Sequence, residues 1–358
     1  MTATGRRGRT PRPGPFDRER LQAALGVSVA SVEVLEEASG TTRRARLRVR
    51  HADGSATELF AKAPASSPLA RAVVALPGLA RAEVGFYRDV APEAPLSIPT
   101  CHAARATRTD FLLVLEDVSS RPASFSHLGD DLPAPQVAEV LAQLARLHGA
   151  YWGDPRLRSG AWPWCRPLVP RFEATAGALV APALGRIGAR RAGGALPGDL
   201  RRVLLRYGAH RSALRRRLDC GTPTLLHQDC HPGNLAFAED GSAVVCDWQL
   251  TRAGPWAADV AYLVATAMAV EERRAHDAAL LAGYLDHLVD AGGRPPGAAE
   301  AKRAFAANLV YPLEAMVVTL AFPGLQPDDA VRRAVARSAA AAADHDAFGA
   351  LASLDARP

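Results

Sequence analysis

Residues 225–235 read Leu-Leu-His-Gln-Asp-Cys-His-Pro-Gly-Asn-Leu, and residues 244–249 read Val-Val-Cys-Asp-Trp-Gln. Each begins as a short apolar run and ends in polar residues, which predicts a strand, a polar loop, and a second strand that stops at an acid. Asp229, Asn234 and Asp247 fall at the polar ends. Phosphoryl transfer asks for few covalent roles from a protein. It needs a carboxylate to accept the proton of an attacking hydroxyl, and oxygen ligands for the magnesium that neutralises the β- and γ-phosphates. Asp229 as base, with Asn234 and Asp247 as ligands, supplies that set.

Upstream of this stretch the pattern is sheet-like. Residues 31–37 (S-V-E-V-L-E-E) and 44–50 (R-A-R-L-R-V-R) alternate apolar with polar side chains, the period of half-buried strands. Ser39, Gly40, Thr41 and Thr42 form the turn between them, residues 59–63 a third strand, and residues 110–116 (D-F-L-L-V-L-E) a buried one. A largely helical stretch over residues 68–90, interrupted at Pro77-Gly78, carries Glu83. Residues 1–15, rich in Arg, Pro and Gly, read as a disordered basic arm.

Beyond residue 120 helical spacing takes over. Val137, Val140, Leu141, Leu144 and Leu147 share one face of a helix over residues 136–151. Further helices are expected at 200–218, 256–270, 273–291, 299–320 and 328–347, whereas the Ala, Gly and Pro of residues 177–198 leave that segment unassigned. A sheet-rich piece followed by a helix-rich piece is an α+β order and predicts two lobes with a cleft between them.

Composition narrows the function classes. With 48% hydrophobic residues in 358, the chain can bury a sizeable core. No run approaches the roughly 20 apolar residues that span a bilayer, and no apolar leader opens the sequence, so a cytoplasmic protein without membrane contact is expected. The five cysteines are scattered, with no C-x-x-C pair, and read as reduced thiols. The net charge of +6 lies largely in the arm and in dispersed arginines. No aromatic platform accompanies it, so no nucleic-acid contact is expected.

The H-x-D-x-x-x-x-N of His227, Asp229 and Asn234, followed by Asp247-Trp248-Gln249, resembles the catalytic core of aminoglycoside phosphotransferases and the related choline, homoserine and methylthioribose kinases. The D-W-Q form, with Glu116-Asp117 after an apolar strand, is most similar to the choline-kinase-like and ecdysteroid-kinase-like branch. That resemblance covers most of the chain from residue 31, with motif identity confined to short segments. It implies a bilobal protein-kinase-like fold: a β-rich N-lobe over residues 16–117 with one main helix, and a helical C-lobe over 118–358 that holds the catalytic loop and the substrate pocket. It also implies an ATP- and Mg2+-dependent enzyme that phosphorylates a hydroxyl of a small molecule. By the same resemblance, Lys62 pairs the phosphates and Glu83 holds Lys62. Gly40, Thr41 and Thr42 stand where a phosphate-covering loop belongs, although the full G-x-G-x-x-G is missing. Residues 115–118, Glu116 and Val118 among them, form the hinge that meets adenine.

Three rival readings are weaker. His227 and His231 stand four apart, as zinc ligands on a helix do, but Pro232-Gly233 would stop a helix at once and Gln228 replaces the glutamate of H-E-x-x-H. A protein kinase needs an activation segment. Only eleven residues separate Asp247 from Asp259, and Asp259 matches the helix aspartate that anchors the catalytic loop. A nucleotide-binding scaffold or regulator without turnover is the remaining alternative, opposed by the full complement of Lys62, Glu83, Asp229, Asn234 and Asp247. Trp162, Trp164, Trp256, Tyr284 and Tyr311 are candidates to line the acceptor pocket, each more simply read as core. The basic balance disfavours polycationic acceptors.

Overall fold

The computed structural model describes residues 14–354, apart from residues 76, 169–174, 176 and 220. Most of the expected arm, residues 1–13, and Cys220 thus lie outside the described residues. The described chain opens on α1 (Arg18–Leu25), a helix in a stretch after the arm to which the sequence reading gives no element. Its signals are nonetheless local: the Asp17 carboxylate caps the Arg20 amide at 2.9 Å, and Gly26 ends it at φ 71°. An aspartate cap and a left-handed glycine stop are ordinary helix punctuation.

Five strands follow, β1 (Val29–Ser39), β2 (Thr42–His51), β3 (Ala56–Pro64), β4 (Cys101–Ala106) and β5 (Phe111–Glu116). They form one antiparallel sheet in the order β1-β2-β3-β5-β4. The expected strands at 31–37, 44–50, 59–63 and 110–116 lie in β1, β2, β3 and β5. β4 escaped notice because Cys-His-Ala-Ala-Arg-Ala has no apolar alternation; β5 alone supplies its ladder partner. One face of the sheet buries Leu47, Val49, Leu59, Ala61, Leu112 and Val114 with Leu21 of α1. Inserted between β3 and β4 are α2 (Pro68–Ala75) and α3 (Leu79–Asp89), divided where Gly78 takes φ 68°. Val84, Phe86 and Tyr87 of α3 join Leu113 and Leu115 in the main core.

The helical region begins after a short strand β6 (Ala123–Phe125) with α4 (Ala134–Ala150), which buries Val137, Val140, Leu141, Leu144 and Leu147. Next come α5 (Ala178–Ala192), α6 (Gly198–Ala209) and α7 (Arg211–Leu218). α5 occupies the segment left unassigned; Pro182 inside it and its Gly and Ala content masked the period that tertiary packing enforces. Strands β7 (Thr224–Leu226), β8 (Leu235–Ala238), β9 (Ala243–Val245) and β10 (Arg252–Gly254) then pair in two small sheets, β10 with β7 and β6-β8-β9. The chain ends in α8 (Ala257–Ala267), α9 (Val270–Asp290), α10 (Ala298–Asn308), α11 (Val310–Thr319), α12 (Asp328–Asp344) and α13 (Ala347–Ser353). The helix expected over 299–320 is thus two. Pro312, third in α11, lacks an N–H that the first turn leaves unpaired in any case.

The fold class is therefore α+β, an antiparallel sheet followed by a helical region. Among the described residues no helix is long and apolar enough to cross a membrane. The described cysteines, Cys101, Cys165, Cys230 and Cys246, are free thiols.

Candidate active site

The loop after β7 is held from below by α8. Asp259, fully buried in the first turn of that helix, accepts the backbone amides of His227 and Gln228, each at 2.7 Å, and faces His148 Nε2 at 3.2 Å. Gln228 adopts φ 68°, a conformation rare for a side chain with a Cβ and sustained here by that anchor. His227 commits both ring nitrogens to backbone groups: Nδ1 accepts the Asp229 amide at 3.1 Å, and Nε2 lies 2.9 Å from the Cys246 carbonyl. The accepting role of Nδ1 places the proton on Nε2, so His227 ties the loop to the end of β9 and has no lone pair left for zinc.

Asp229 stands at the loop's turn. Its Oδ1 accepts the hydroxyl of Tyr262, one turn along α8 from Asp259, at 2.8 Å. Asn234 Nδ2 donates to the Asp229 carbonyl at 2.8 Å and approaches Oδ2 at 3.4 Å, which commits the amide nitrogen and leaves Asn234 Oδ1 to accept or coordinate. Burial raises the Asp229 pKa above its ordinary value; the charge of Asp247 adds to this, while His231 and the Tyr262 hydroxyl oppose it. His231 Nε2 is 3.9 Å from Asp229 Oδ1.

Asp247 follows β9 at φ 63° and meets the first sheet through a shared lysine. Lys62 Nζ donates to Glu83 Oε1 at 2.7 Å and to Asp247 Oδ1 at 3.0 Å. Lys62 and Glu83 are almost fully buried. Burial alone would lower the lysine pKa, but the two carboxylates raise it; burial pushes Asp247 up, yet Lys62, with smaller contributions from His227 and Arg44, holds it below its ordinary value. Glu83 is pushed up to about 7 by burial against the pull of Lys62. One cation thus serves two carboxylates, and with Asp229 close by, the cluster has spare negative charge and oxygen ligands. Trp248, fully buried beside Asp247, stacks on Phe86 of α3 with centroids 3.8 Å apart, which braces the helix of Glu83 against the strand end of Asp247.

The remaining sequence candidates lie around this cluster. Gly40 and Thr41 form the β1–β2 hairpin tip, where Gly40 N–H donates to the Thr42 carbonyl at 3.0 Å, and Thr42 opens β2. The Glu116 side chain is occupied: it accepts Arg121 at 2.5 and 2.6 Å, and its pKa falls to about 2 chiefly for that reason. Its N–H donates to the Thr100 carbonyl at 2.8 Å, so only the Glu116 carbonyl remains for a further contact. Val118 packs on Ala236 and Val244. Of the aromatic candidates, Trp162, Trp164, Trp256 and Tyr284 are core, while Tyr311 is half-buried and tilted against Tyr262 with centroids 5.4 Å apart. Tyr262 itself went unnoticed. Its signal was present, since Asp259 and Tyr262 are three apart and share a helix face.

The model of the phosphotransferase enzyme family matches residues 19–299. The chain belongs to this family. No curated protein matches it in sequence. Among solved structures, this phosphotransferase is similar to a candidate fructosamine-3-kinase of Thermobifida fusca, with 25% identity over 91% of this chain and 98% of that one and a TM-score of 0.49. It is also similar to a macrolide 2'-phosphotransferase of Brachybacterium faecium, at 18% identity over 94% and 96% with a TM-score of 0.46. A choline kinase of Cryptosporidium parvum gives 12% identity, 86% and 87% coverage, and a TM-score of 0.50. At that identity the last likeness speaks for the fold, which this phosphotransferase shares with small-molecule kinases.

Proposed function

We propose that this phosphotransferase moves the γ-phosphate of ATP to a hydroxyl of a small molecule, with magnesium, in a cleft between a nucleotide-binding lobe (residues 16–117) and a lobe for catalysis and acceptor binding (118–358). The observation that carries the reading is Lys62 held between Glu83 and Asp247, next to a loop that presents Asp229 and Asn234. The donor set suits a hard cation: an anionic Asp247, the free Oδ1 of Asn234, and spare negative charge around a single lysine. When bound, magnesium would neutralise charge on the phosphates. Asp247 and Asn234 would hold it, Lys62 would bind phosphate oxygens, and Glu83 would keep Lys62 oriented. Gly40, Thr41 and Thr42 would cover the phosphates, and the Glu116 carbonyl and Val118 N–H would meet the adenine edge, since the Glu116 N–H and the Val118 carbonyl are already paired with Thr100 and Arg121. Asp229 would accept the acceptor's hydroxyl proton on Oδ2, since Tyr262 occupies Oδ1.

The direct test is ADP release. With ATP, magnesium and a panel of hydroxylated metabolites and antibiotics, at least one acceptor should stimulate release above basal hydrolysis, and chelation should abolish it. ATP binding with no metal-dependent turnover for any acceptor would instead favour the non-catalytic scaffold.

Tyr262 gives a finer test. Its pKa lies well above the ordinary value because of burial and Asp229, so it remains a donor across the working range. Tyr262→Phe keeps the buried ring and removes one hydrogen bond to a charged group. Turnover should fall about tenfold to a hundredfold, with KM for ATP and thermal unfolding nearly unchanged. An unaltered kcat would show that the hydroxyl does not orient the base.

A further inference from the structure

Arg44 on β2 lies directly opposite Lys62 on β3 in the antiparallel ladder, so both cations project from one face of the sheet. Arg46 and Arg48 follow on that face at the strand period of two. Three of these cations are partnered, while Arg50, next in the period at the far end of β2, is exposed and has no ion pair among the described residues. Lys62 has Glu83 and Asp247; Arg46 has Asp117 at 2.7 Å and Glu36 at 3.8 Å; Arg48 has Glu58 at 2.8 Å and Glu33 at 3.5 Å. Arg44 is exposed and has no ion-pair partner among the described residues. Its guanidinium instead turns toward the hairpin tip, where Nη2 is 3.8 Å from the position a Cβ on Gly40 would take. Its charge also reaches the cleft, since it lowers the pKa of both Glu83 and Asp247.

Placing like charges opposite each other on adjacent strands is unfavourable, and an arginine fork offers five donors where an ordinary strand position would take an apolar or polar residue. An anion between the hairpin tip and Lys62 would answer both points. We propose that Arg44 is a second phosphate-binding cation of the nucleotide site, gripping a nucleoside polyphosphate from the Gly40 side while Lys62 holds it from the other. This rests on the ATP reading above. Arg44 would supply, by side chain, the phosphate grip that a fuller glycine-rich loop supplies by backbone amides. The competing role is a structural counter-charge for the surplus carboxylate around Lys62.

The test is equilibrium binding of ATP, ADP and adenosine, with magnesium, to the full chain and to Arg44→Gln and Arg44→Lys. Loss of a hydrogen-bonded charge predicts that Arg44→Gln weakens ATP and ADP by about tenfold to a hundredfold while adenosine changes less than about twofold. Arg44→Lys should recover part of the loss, because it keeps the charge without the fork. It also serves as the test should the Gln variant fail to fold. ATP bound as tightly by both variants as by the wild type would overturn the inference, as would equal weakening of ATP and adenosine. If the wild type binds no ATP, the kinase reading falls and Arg44 with it. If the wild type binds ATP and the variants match it, only the role of Arg44 falls.

Discussion

Asp229→Ala should reduce phosphoryl transfer about a hundredfold to ten-thousandfold, the usual effect of removing a general base, while leaving ATP affinity close to that of the wild type. The separation is expected because the side chain of Asp229 contacts Tyr262 and Asn234, whereas the Lys62 cluster is built from other residues. Stability should not fall in step with activity. Asp229 is a half-buried carboxylate whose ionisation is opposed by desolvation and by Asp247, so truncation relieves an unfavourable charge even as it frees the Tyr262 hydroxyl. The measurements are saturating-ATP kinetics with an active acceptor, nucleotide binding by calorimetry, and thermal unfolding. Near-normal turnover would remove Asp229 from the chemistry. Lost ATP binding with normal unfolding would make it a nucleotide ligand instead.

Asp259→Ala should have the opposite profile, a large loss of stability that drags activity down. Its carboxylate is fully buried and accepts the backbone amides of His227 and Gln228, with His148 beside it. Truncation leaves those amides without acceptors in a dry site, and breaking a buried charged network of this kind costs about 3–5 kcal/mol. Against total stabilities of about 5–15 kcal/mol, that is a large share. The strained backbone of Gln228 should relax as well, which displaces Asp229. Denaturant unfolding checks the first effect, and amide hydrogen exchange at residues 227–229 the second. A variant within about 1 kcal/mol of the wild type would mean that the loop holds its shape without α8.

Sequence alone determined the α+β order, since apolar alternation before residue 117 and 3.6-residue spacing after it are local signals that tertiary packing did not override. The strand-loop-strand reading of residues 225–249 picked out Asp229, Asn234 and Asp247 as candidates, whereas Lys62 and Glu83 entered through the family resemblance. Local signals failed where a neighbour imposes the structure. β4 is a strand because β5 offers it a ladder, and α5 is a helix despite Pro182 because it packs against α11. Tertiary structure also decided which atoms are free. The Glu116 carboxylate went to Arg121, the nitrogens of His227 went to the Asp229 amide and the Cys246 carbonyl, and the Tyr262 hydroxyl took one oxygen of Asp229. It left Arg44, at the hairpin end of its sheet face, without a described ion partner. Residue order can reveal which groups a site contains, but a hydrogen bond depends on positions within about 3 Å, and only the folded chain sets those.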